Sequence, residues 1–156
     1  MMLQRRELLG YLGLALVMPL SGALAQAAPQ VMVYKSRTCG CCNKWIDHLR
    51  AAGFQVEAEN VTDVGEYKRK FGVPADLASC HTAVVGDYIV EGHVPADDVI
   101  RMLRQEPEII GIAVPGMPLG SPGMEAPNPQ YYETVAFNAA GIVQVFATHD
   151  PAAATG

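Results

Sequence analysis

Three cysteines within four residues are the feature that most restricts what this chain can fold into. Cys39, Cys41 and Cys42 form a Cys-x-Cys-Cys motif between an apolar run at residues 30–34 and a helical pattern at residues 41–52. The backbone N–H groups and the dipole at a helix start stabilise anions, so this position favours thiolates. Crowded thiolates repel one another unless a cation lies between them. The motif therefore indicates a dithiol or a metal site on a strand-to-helix turn.

The apolar periodicity predicts an α/β fold with the element order β-α-β-α-β-β-α, which is the plan of a thioredoxin-like core. Gly86-Asp87 indicates a hairpin between the third and fourth strands, and Pro95 is expected to begin the third helix, whose predicted apolar face is Val99, Ile100 and Leu103. The predicted strands are residues 30–34, 54–60, 82–85 and 88–91; the predicted helices are residues 41–52, a segment from Thr62 or Asp63 to Phe71, and a segment from Pro95.

The C-terminal third of the chain differs in composition. Eight of the fifteen residues at 115–129 are Gly or Pro, so this Gly/Pro/Met segment is predicted to be an irregular loop. Residues 109–114 are apolar without a clear period, and a strand or a packed extension both fit them. Residues 131–137 and 142–148 are rich in β-forming residues and predict an added terminal β-hairpin.

Length and composition exclude several functions. The 156 residues correspond to about one domain, and the 50% hydrophobic content is enough for a packed core. The formal net charge of −5 argues against nucleic acid as a partner. Aromatic residues make up only 7% of the chain, which also argues against stacking platforms for bases.

The first 25 residues have the pattern of a secretory signal peptide. Arg5 and Arg6 precede an uncharged, mostly apolar stretch at residues 8–20, and Ala23-Leu24-Ala25 is a small-residue cleavage pattern. The stretch is shorter than the about 20 apolar residues that span a bilayer. We therefore expect a periplasmic protein with no membrane contact after cleavage, in which residues 26–156 form a single domain. The export route, general or twin-arginine, stays open.

Cys80 is the fourth cysteine, and it directly precedes the predicted strand at residues 82–85. In a thioredoxin-like fold the loop before that strand faces the turn that carries the Cys-x-x-Cys spacing. Cys80 would then complete a four-sulfur site. Lys35 and Arg37 are close to the motif in sequence and carry positive charge, so low thiol pKa values are expected there.

The two methionines of the Gly/Pro/Met segment suggest which metal the site would take. Met117 and Met124 each follow a Pro-Gly step, and neither lies on a periodic apolar face as a core methionine would. Thiolate and thioether sulfurs together form a soft ligand set that prefers Cu(I) to Zn(II). His93, between a strand and a helix, is a candidate nitrogen ligand, and His81 beside Cys80 is an alternative. His48 and His149 are expected to have no special role, although a surface site that includes His149 stays open.

These motifs together resemble the periplasmic CopG-type copper-resistance proteins, a thioredoxin-like family long catalogued as a domain of unknown function. The similarity extends over essentially the whole chain after the signal sequence, and it includes Val90-Glu91-Gly92-His93-Val94-Pro95 and both Pro-Gly-Met steps. It implies copper as the bound metal, held singly or as a multinuclear thiolate cluster. The ligands that it implies are Cys39, Cys41, Cys42, Cys80, Met117, Met124 and His93.

The resulting hypothesis is an exported copper-binding protein of copper resistance that exchanges copper ions with other periplasmic copper-handling proteins. Whether the chain is an enzyme stays open, because Cys39 and Cys42 could also cycle through a disulfide and exchange electrons with copper. One alternative is a periplasmic thiol–disulfide oxidoreductase without a metal role. A second alternative is a structural zinc module, although zinc sites usually have two separate Cys-x-x-Cys pairs.

Overall fold

A computed structural model describes residues 28–155 of the chain. The predicted signal peptide at residues 1–25 lies outside the described residues. Within them the structure is mixed α/β, with seven strands and three α-helices. The strands are β1 (Gln30–Lys35), β2 (Gln55–Asn60), β3 (His81–Val85), β4 (Tyr88–Glu91), β5 (Gly111–Ala113), β6 (Tyr132–Phe137) and β7 (Val143–His149); the helices are α1 (Gly40–Ala51), α2 (Val64–Lys70) and α3 (Ala96–Gln105).

The element order from β1 to α3 is the predicted β-α-β-α-β-β-α. Local chemistry explains several boundaries. Asp63 precedes α2, and its carboxylate accepts a hydrogen bond from the Gly65 N–H at 2.8 Å, as an N-cap does. Gly53 follows α1 with a φ of +95°, a conformation that glycine adopts without steric cost. Pro95 is the residue before α3, as expected for its fixed φ.

All seven strands of the described region form one sheet with the order β2-β1-β3-β4-β5-β6-β7. β1 runs parallel to β2 and antiparallel to β3, and β3 runs antiparallel to β4. The ambiguous segment at residues 109–114 contains β5, which pairs in parallel with β4. Because β5 also pairs with β6, the predicted terminal hairpin continues the same sheet. Residues 115–129 contain no helix or strand, as their composition predicts.

The core lies on both faces of the sheet. Trp45 and Leu49 of α1 and Val99 and Met102 of α3 are fully buried in the main cluster, together with Val33, Ala83, Val90 and Ile112 from the strands. A smaller cluster on the other face is centred on Phe137. Successive side chains of a strand point to opposite faces of the sheet, so neighbouring residues of one strand contribute to different clusters. Ile100 and Leu103, predicted for the buried face of α3, are only partly buried, and Met102 takes the central position.

No helix within residues 28–155 is both long and apolar enough to cross a membrane.

Candidate metal centre

The Cys-x-Cys-Cys motif lies at the start of α1. Cys39 is the residue before the helix, and Cys41 and Cys42 lie in its first turn. The first N–H groups of a helix have no partner within it, so partial positive charge gathers beside these sulfurs. Cys42 is fully buried, because the neighbouring face of α1, with Trp45 and Leu49, packs into the core. The packing of α1 therefore determines which way the motif faces.

The sheet brings Cys80 to the same place. β1 ends just before the motif and pairs antiparallel with β3, so that Lys35 lies opposite His81 at the start of β3. Cys80 directly precedes His81 and consequently lies beside the helix start. Its sulfur is 3.5 Å from that of Cys42 and 3.9 Å from that of Cys41. The four cysteine sulfurs all lie within 4.8 Å of one another.

Cys39 and Cys42 are joined by a disulfide, whereas Cys41 and Cys80 are free thiols. The bond closes the Cys-x-x-Cys spacing within the motif. The Cys41 sulfur lies 3.5 Å from the Cys39 sulfur, and the Cys80 sulfur lies 3.5 Å from the Cys42 sulfur. Each sulfur of the disulfide therefore has a free thiol beside it. A site that used all four sulfurs as thiolate ligands would first need this bond to be reduced by two electrons.

His93 directs a ring nitrogen at Cys80. Its Nε2 atom lies 2.9 Å from the Cys80 sulfur, and its Nδ1 atom lies 2.7 Å from the carbonyl oxygen of Pro122. A carbonyl only accepts hydrogen bonds, so in the neutral ring Nδ1 carries the proton and Nε2 presents its lone pair to the cluster. Histidines that bind metals commonly donate their other N–H to a carbonyl or a carboxylate in this way.

His81 is a second nitrogen beside Cys80. Its Nδ1 atom lies 3.3 Å from the Cys80 sulfur, and one nitrogen of each histidine lies within 4.8 Å of that sulfur and of the other. The ring is fully buried against Trp45, with the ring centroids 4.3 Å apart. Its Nε2 atom has no hydrogen-bond partner among the residues that the structure describes. The structure therefore brings both candidate histidines to Cys80, not one of them.

Burial controls the protonation of these groups. It lowers the pKa of His81 well below its ordinary value and also lowers the pKa of His93, so both rings are neutral near pH 7. Burial and the neighbouring Cys41 raise the pKa of Cys80 to about 12. Low thiol pKa values are expected for the cysteines of the motif; Cys80, which lies outside the motif, has the opposite shift. The Lys35 ammonium group donates hydrogen bonds to Asn60 and to the Ser36 carbonyl.

The Gly/Pro/Met segment packs against the cluster at both Pro-Gly-Met steps. Gly116 donates its N–H to the Ala78 carbonyl and accepts a hydrogen bond from the Ser79 hydroxyl, next to Cys80. A Cβ atom on Gly123 would lie only 2.7 Å from the Cys41 carbonyl oxygen. Met117 and Met124 directly follow these glycines; Met117 is 51% exposed and Met124 is half-buried.

Two features of the site are not evident in the sequence. Glu91 is fully buried at the end of β4, and its carboxylate is bonded to Lys68 and to Ser79 beside Cys80. His48, for which we expected no special role, accepts a hydrogen bond at Nε2 from the N–H of Ala96, the first residue of α3. The only signal for Glu91 is an acidic residue at the end of an apolar strand, and for His48 the sequence contains no signal.

The fold and the cluster define a mixed α/β protein with a group of sulfur and imidazole side chains that could hold a soft metal. Two solved structures, both described as copper resistance protein CopG, are similar to the chain. Form 2 is 41% identical with a TM-score of 0.75, covering 79% of this chain and 99% of its own. Form 1 is 42% identical with a TM-score of 0.73, covering 77% of this chain and 96% of its own.

The family model described as a protein of unknown function, DUF411, matches residues 77–124, which include Cys80, His93 and both Pro-Gly-Met steps. No curated protein sequence matches the chain significantly. The chain belongs to the CopG family of copper-resistance proteins.

Proposed function

We propose that the chain is an exported copper-binding protein of copper resistance that captures Cu(I) at its cysteine cluster. The observation that carries this proposal is the convergence of four cysteine sulfurs within 4.8 Å of one another at a helix start. Thiolates are ligands that favour Cu(I), and membership of a copper-resistance family supports copper over other soft metals.

The proposed ligands are the four thiolates of Cys39, Cys41, Cys42 and Cys80, with the Nε2 atom of His93. The thioether sulfurs of Met117 and Met124 would bind from the Gly/Pro/Met segment, whose backbone contacts the cluster on two sides. Several thiolates in one site can bridge more than one ion, so we propose one or more Cu(I) ions. Thiolate ligation in a partly buried site would limit the reaction of Cu(I) with oxygen.

The fold and the location of the protein form part of the proposal. The strand order β2-β1-β3-β4, with β3 antiparallel to its neighbours, supports a thioredoxin-like core to which β5, β6 and β7 are added. Residues 1–25 would direct export to the periplasm and be removed. Residues 26–156 would then act as a single domain that exchanges copper with other periplasmic copper-handling proteins.

The experiment that tests copper binding is metal analysis by mass spectrometry. The protein without residues 1–25 would be purified anaerobically from copper-supplemented cells, with a parallel count of reactive thiols. We expect copper in the protein and thiols that react only after the metal has been removed. The Cys80→Ser variant should contain less copper. One zinc ion per chain, unaffected by replacing Met117 and Met124 with leucine, would instead identify the structural zinc module.

The Cys39–Cys42 disulfide favours a second candidate function, a thiol–disulfide oxidoreductase. Reduction of this bond takes two electrons and two protons and forms two thiols. The electrons would come from a substrate dithiol, which becomes a disulfide, or from two Cu(I) ions, which become Cu(II). Rapid reduction of insulin disulfides by the metal-free protein with dithiothreitol as the dithiol, which would reduce the Cys39–Cys42 bond and be oxidised in turn, would support the first route. If the double variant Cys39→Ser/Cys42→Ser leaves the rates of copper oxidation and reduction unchanged, the second route, with electrons from Cu(I), is wrong.

A further inference from the structure

A single buried carboxylate organises the part of the site that Cys80, His81 and His93 occupy. The Glu91 side chain is 0% exposed, although it carries an ionisable group. Burying a carboxylate without partners is strongly unfavourable, so the groups that surround Glu91 must compensate for its lost hydration. Two of these partner groups belong to the segment that contains Cys80.

Three groups donate hydrogen bonds to this carboxylate. Its Oε1 atom accepts from the Ser79 N–H at 2.6 Å and from the Lys68 ammonium group at 2.5 Å. Its Oε2 atom accepts from the Thr82 hydroxyl at 2.6 Å. Lys68 comes from α2 and is itself largely buried, with 13% of its side chain exposed. The ammonium group supplies the compensating charge, and the other two donors connect the carboxylate to β3 and its preceding loop.

The positions of these donors in the sequence relate the carboxylate to the candidate ligands. Ser79 and Thr82 directly flank Cys80 and His81, so the residue on each side of that dipeptide donates a hydrogen bond to Glu91. Glu91 itself lies opposite Thr82 in the β3–β4 pair and precedes His93 by two residues. One side chain therefore binds the backbone N–H of the residue before Cys80 and the side-chain hydroxyl of the residue after His81, and it belongs to the strand that leads to His93.

Ser79 is restrained from a second direction. A Cβ atom added to Gly92 would lie 2.6 Å from the Ser79 side chain and 2.7 Å from the Val114 carbonyl oxygen, so the turn after β4 packs directly against Ser79. The Ser79 hydroxyl in turn donates to the carbonyl of Gly116, the residue before Met117. The chain of contacts from Glu91 through Ser79 thus extends to the first Pro-Gly-Met step.

We propose that Glu91 is the positioning residue of the copper site: its carboxylate fixes the Ser79–Thr82 segment so that Cys80 and His81 face His93 and the cysteines of α1. This inference rests on the proposed copper-binding function but concerns a residue that would not touch the metal. The competing explanation is that Glu91 serves only as the charge partner of Lys68 and stabilises the fold as a whole.

Two charge-free double variants separate these explanations. Lys68→Met/Glu91→Gln and Lys68→Met/Glu91→Met both remove the ion pair and leave no unpaired buried charge. The glutamine variant retains an oxygen that can accept the Ser79 N–H, whereas the methionine variant, of similar length, has none. The thermal unfolding of both variants is measured first, so that any difference at the site can be compared with the difference in stability.

The first readout is the rate at which N-ethylmaleimide alkylates Cys80 in the metal-free, disulfide-containing protein, measured by peptide mass spectrometry. Cys41 is the internal reference, because it lies on α1 and general loosening of the fold would expose both thiols. We expect the methionine variant to react about tenfold faster at Cys80 relative to Cys41, since Ser79 loses its acceptor. The glutamine variant should keep the wild-type ratio.

The second readout is Cu(I) affinity, measured by competition with a chromophoric chelator. We expect the methionine variant to lose about 10–100-fold, as outer groups that orient metal ligands commonly do, and the glutamine variant to lose much less. Equal alkylation ratios and equal affinities in the two variants would overturn the inference. A wild-type protein that binds no copper would contradict the proposed function instead, while the alkylation ratio would still decide whether Glu91 positions Cys80.

Discussion

The Cys80 sulfur lies 2.9 Å from the Nε2 atom of His93, and this contact joins two segments that are 13 residues apart in the chain. The His93 ring is oriented in turn by the Pro122 carbonyl, 2.7 Å from its Nδ1 atom. The loop before β3, the turn before α3 and the Gly/Pro/Met segment therefore meet at one sulfur–nitrogen pair. With the proton of the neutral His93 ring on Nδ1, its Nε2 atom can accept a hydrogen bond from the Cys80 thiol, and a metal that bound both atoms would have to displace the thiol proton.

The displaced proton makes Cu(I) binding depend on pH. Because the pKa of Cys80 is raised to about 12, its thiol is protonated near neutral pH and must lose a proton to become a ligand. This group alone should raise the apparent Cu(I) affinity about tenfold for each unit of increasing pH. We expect the slope of log affinity against pH, from chelator competition, to fall by about one in Cys80→Ser. An unchanged slope would show that Cys80 does not bind the metal.

The contact of Gly123 with the cluster predicts that even a small side chain would disturb the site. Its φ is +90°, and an added Cβ atom would lie 2.7 Å from the Cys41 carbonyl oxygen and 3.2 Å from Nδ1 of His93. We expect Gly123→Ala to move the Gly/Pro/Met segment away and to weaken Cu(I) binding about tenfold or more, by analogy with other groups that orient metal ligands. Isothermal titration or chelator competition would measure the loss.

Gly141 provides the matched control for this substitution. Its φ of +75° imposes a similar backbone strain on alanine, but an added Cβ atom would meet nothing within 4 Å. Gly141→Ala should therefore cost about 1–2 kcal/mol of stability and leave the copper affinity unchanged. If both variants bind copper equally well, the segment does not need to lie against Cys41 and His93 for binding.

Much of the fold is predictable because its signals are local. Asp63 and Gly53 mark helix ends through hydrogen bonding and φ preferences that involve only neighbouring residues. β5 is different, because a strand of three residues that is buried throughout shows no alternation between apolar and polar positions. Its place between β4 and β6 depends on pairing with distant strands, and so does the incorporation of the terminal hairpin into the main sheet.

The candidate site likewise has one part that the local sequence predicts and another that depends on contacts between distant residues. The three cysteines of the motif lie within four residues of the sequence, and the predicted thioredoxin-like plan is enough to expect the loop with Cys80 to face them. The contacts that support the site connect residues far apart: Lys68 and Glu91 are separated by 23 residues, and His48 and Ala96 by 48. Nothing in the local sequence distinguishes Glu91 from a solvated strand-end glutamate, so its burial becomes evident only from the packing of α2 on the sheet.

The sequence indicates no role for His149 beyond an optional surface site, yet this residue joins β7 to α3 through the buried carboxylate of Asp98. Asp98 accepts hydrogen bonds from the Thr134 hydroxyl at 2.6 Å and from Nε2 of His149 at 2.8 Å. The His149 ring stacks on Tyr132, with the ring centroids 4.5 Å apart. Because α3 starts shortly after His93, this cluster anchors the added strands to the helix next to the candidate site.

We expect Asp98→Asn to lower the free energy of unfolding by about 2–3 kcal/mol, since the amide cannot accept both hydrogen bonds with the strength of a carboxylate. Urea denaturation would measure the loss. The control is Asp97→Asn on the same helix, where the side chain is exposed and the change should stay within about 0.5 kcal/mol. Similar small losses in both variants would show that the Asp98 cluster contributes little to stability.

The hydrogen bond from Ala96 to His48 predicts that the protein loses stability in mild acid. Burial lowers the pKa of His48, although Glu125 and Asp97 act in the opposite direction, so the folded protein favours the neutral ring that accepts this bond. The unfolded chain binds the proton more readily, and stability is therefore lost as the pH falls below about 6.5.

The His48→Gln variant tests this contribution, because glutamine retains a hydrogen-bond acceptor that does not titrate. His81 and His93 also have lowered pKa values and are still present in the variant, so part of the acid sensitivity should remain. We expect the melting temperature to fall less between about pH 7.5 and about pH 5 in this variant than in the wild type. Parallel curves for the two proteins would contradict a role for His48 in acid sensitivity.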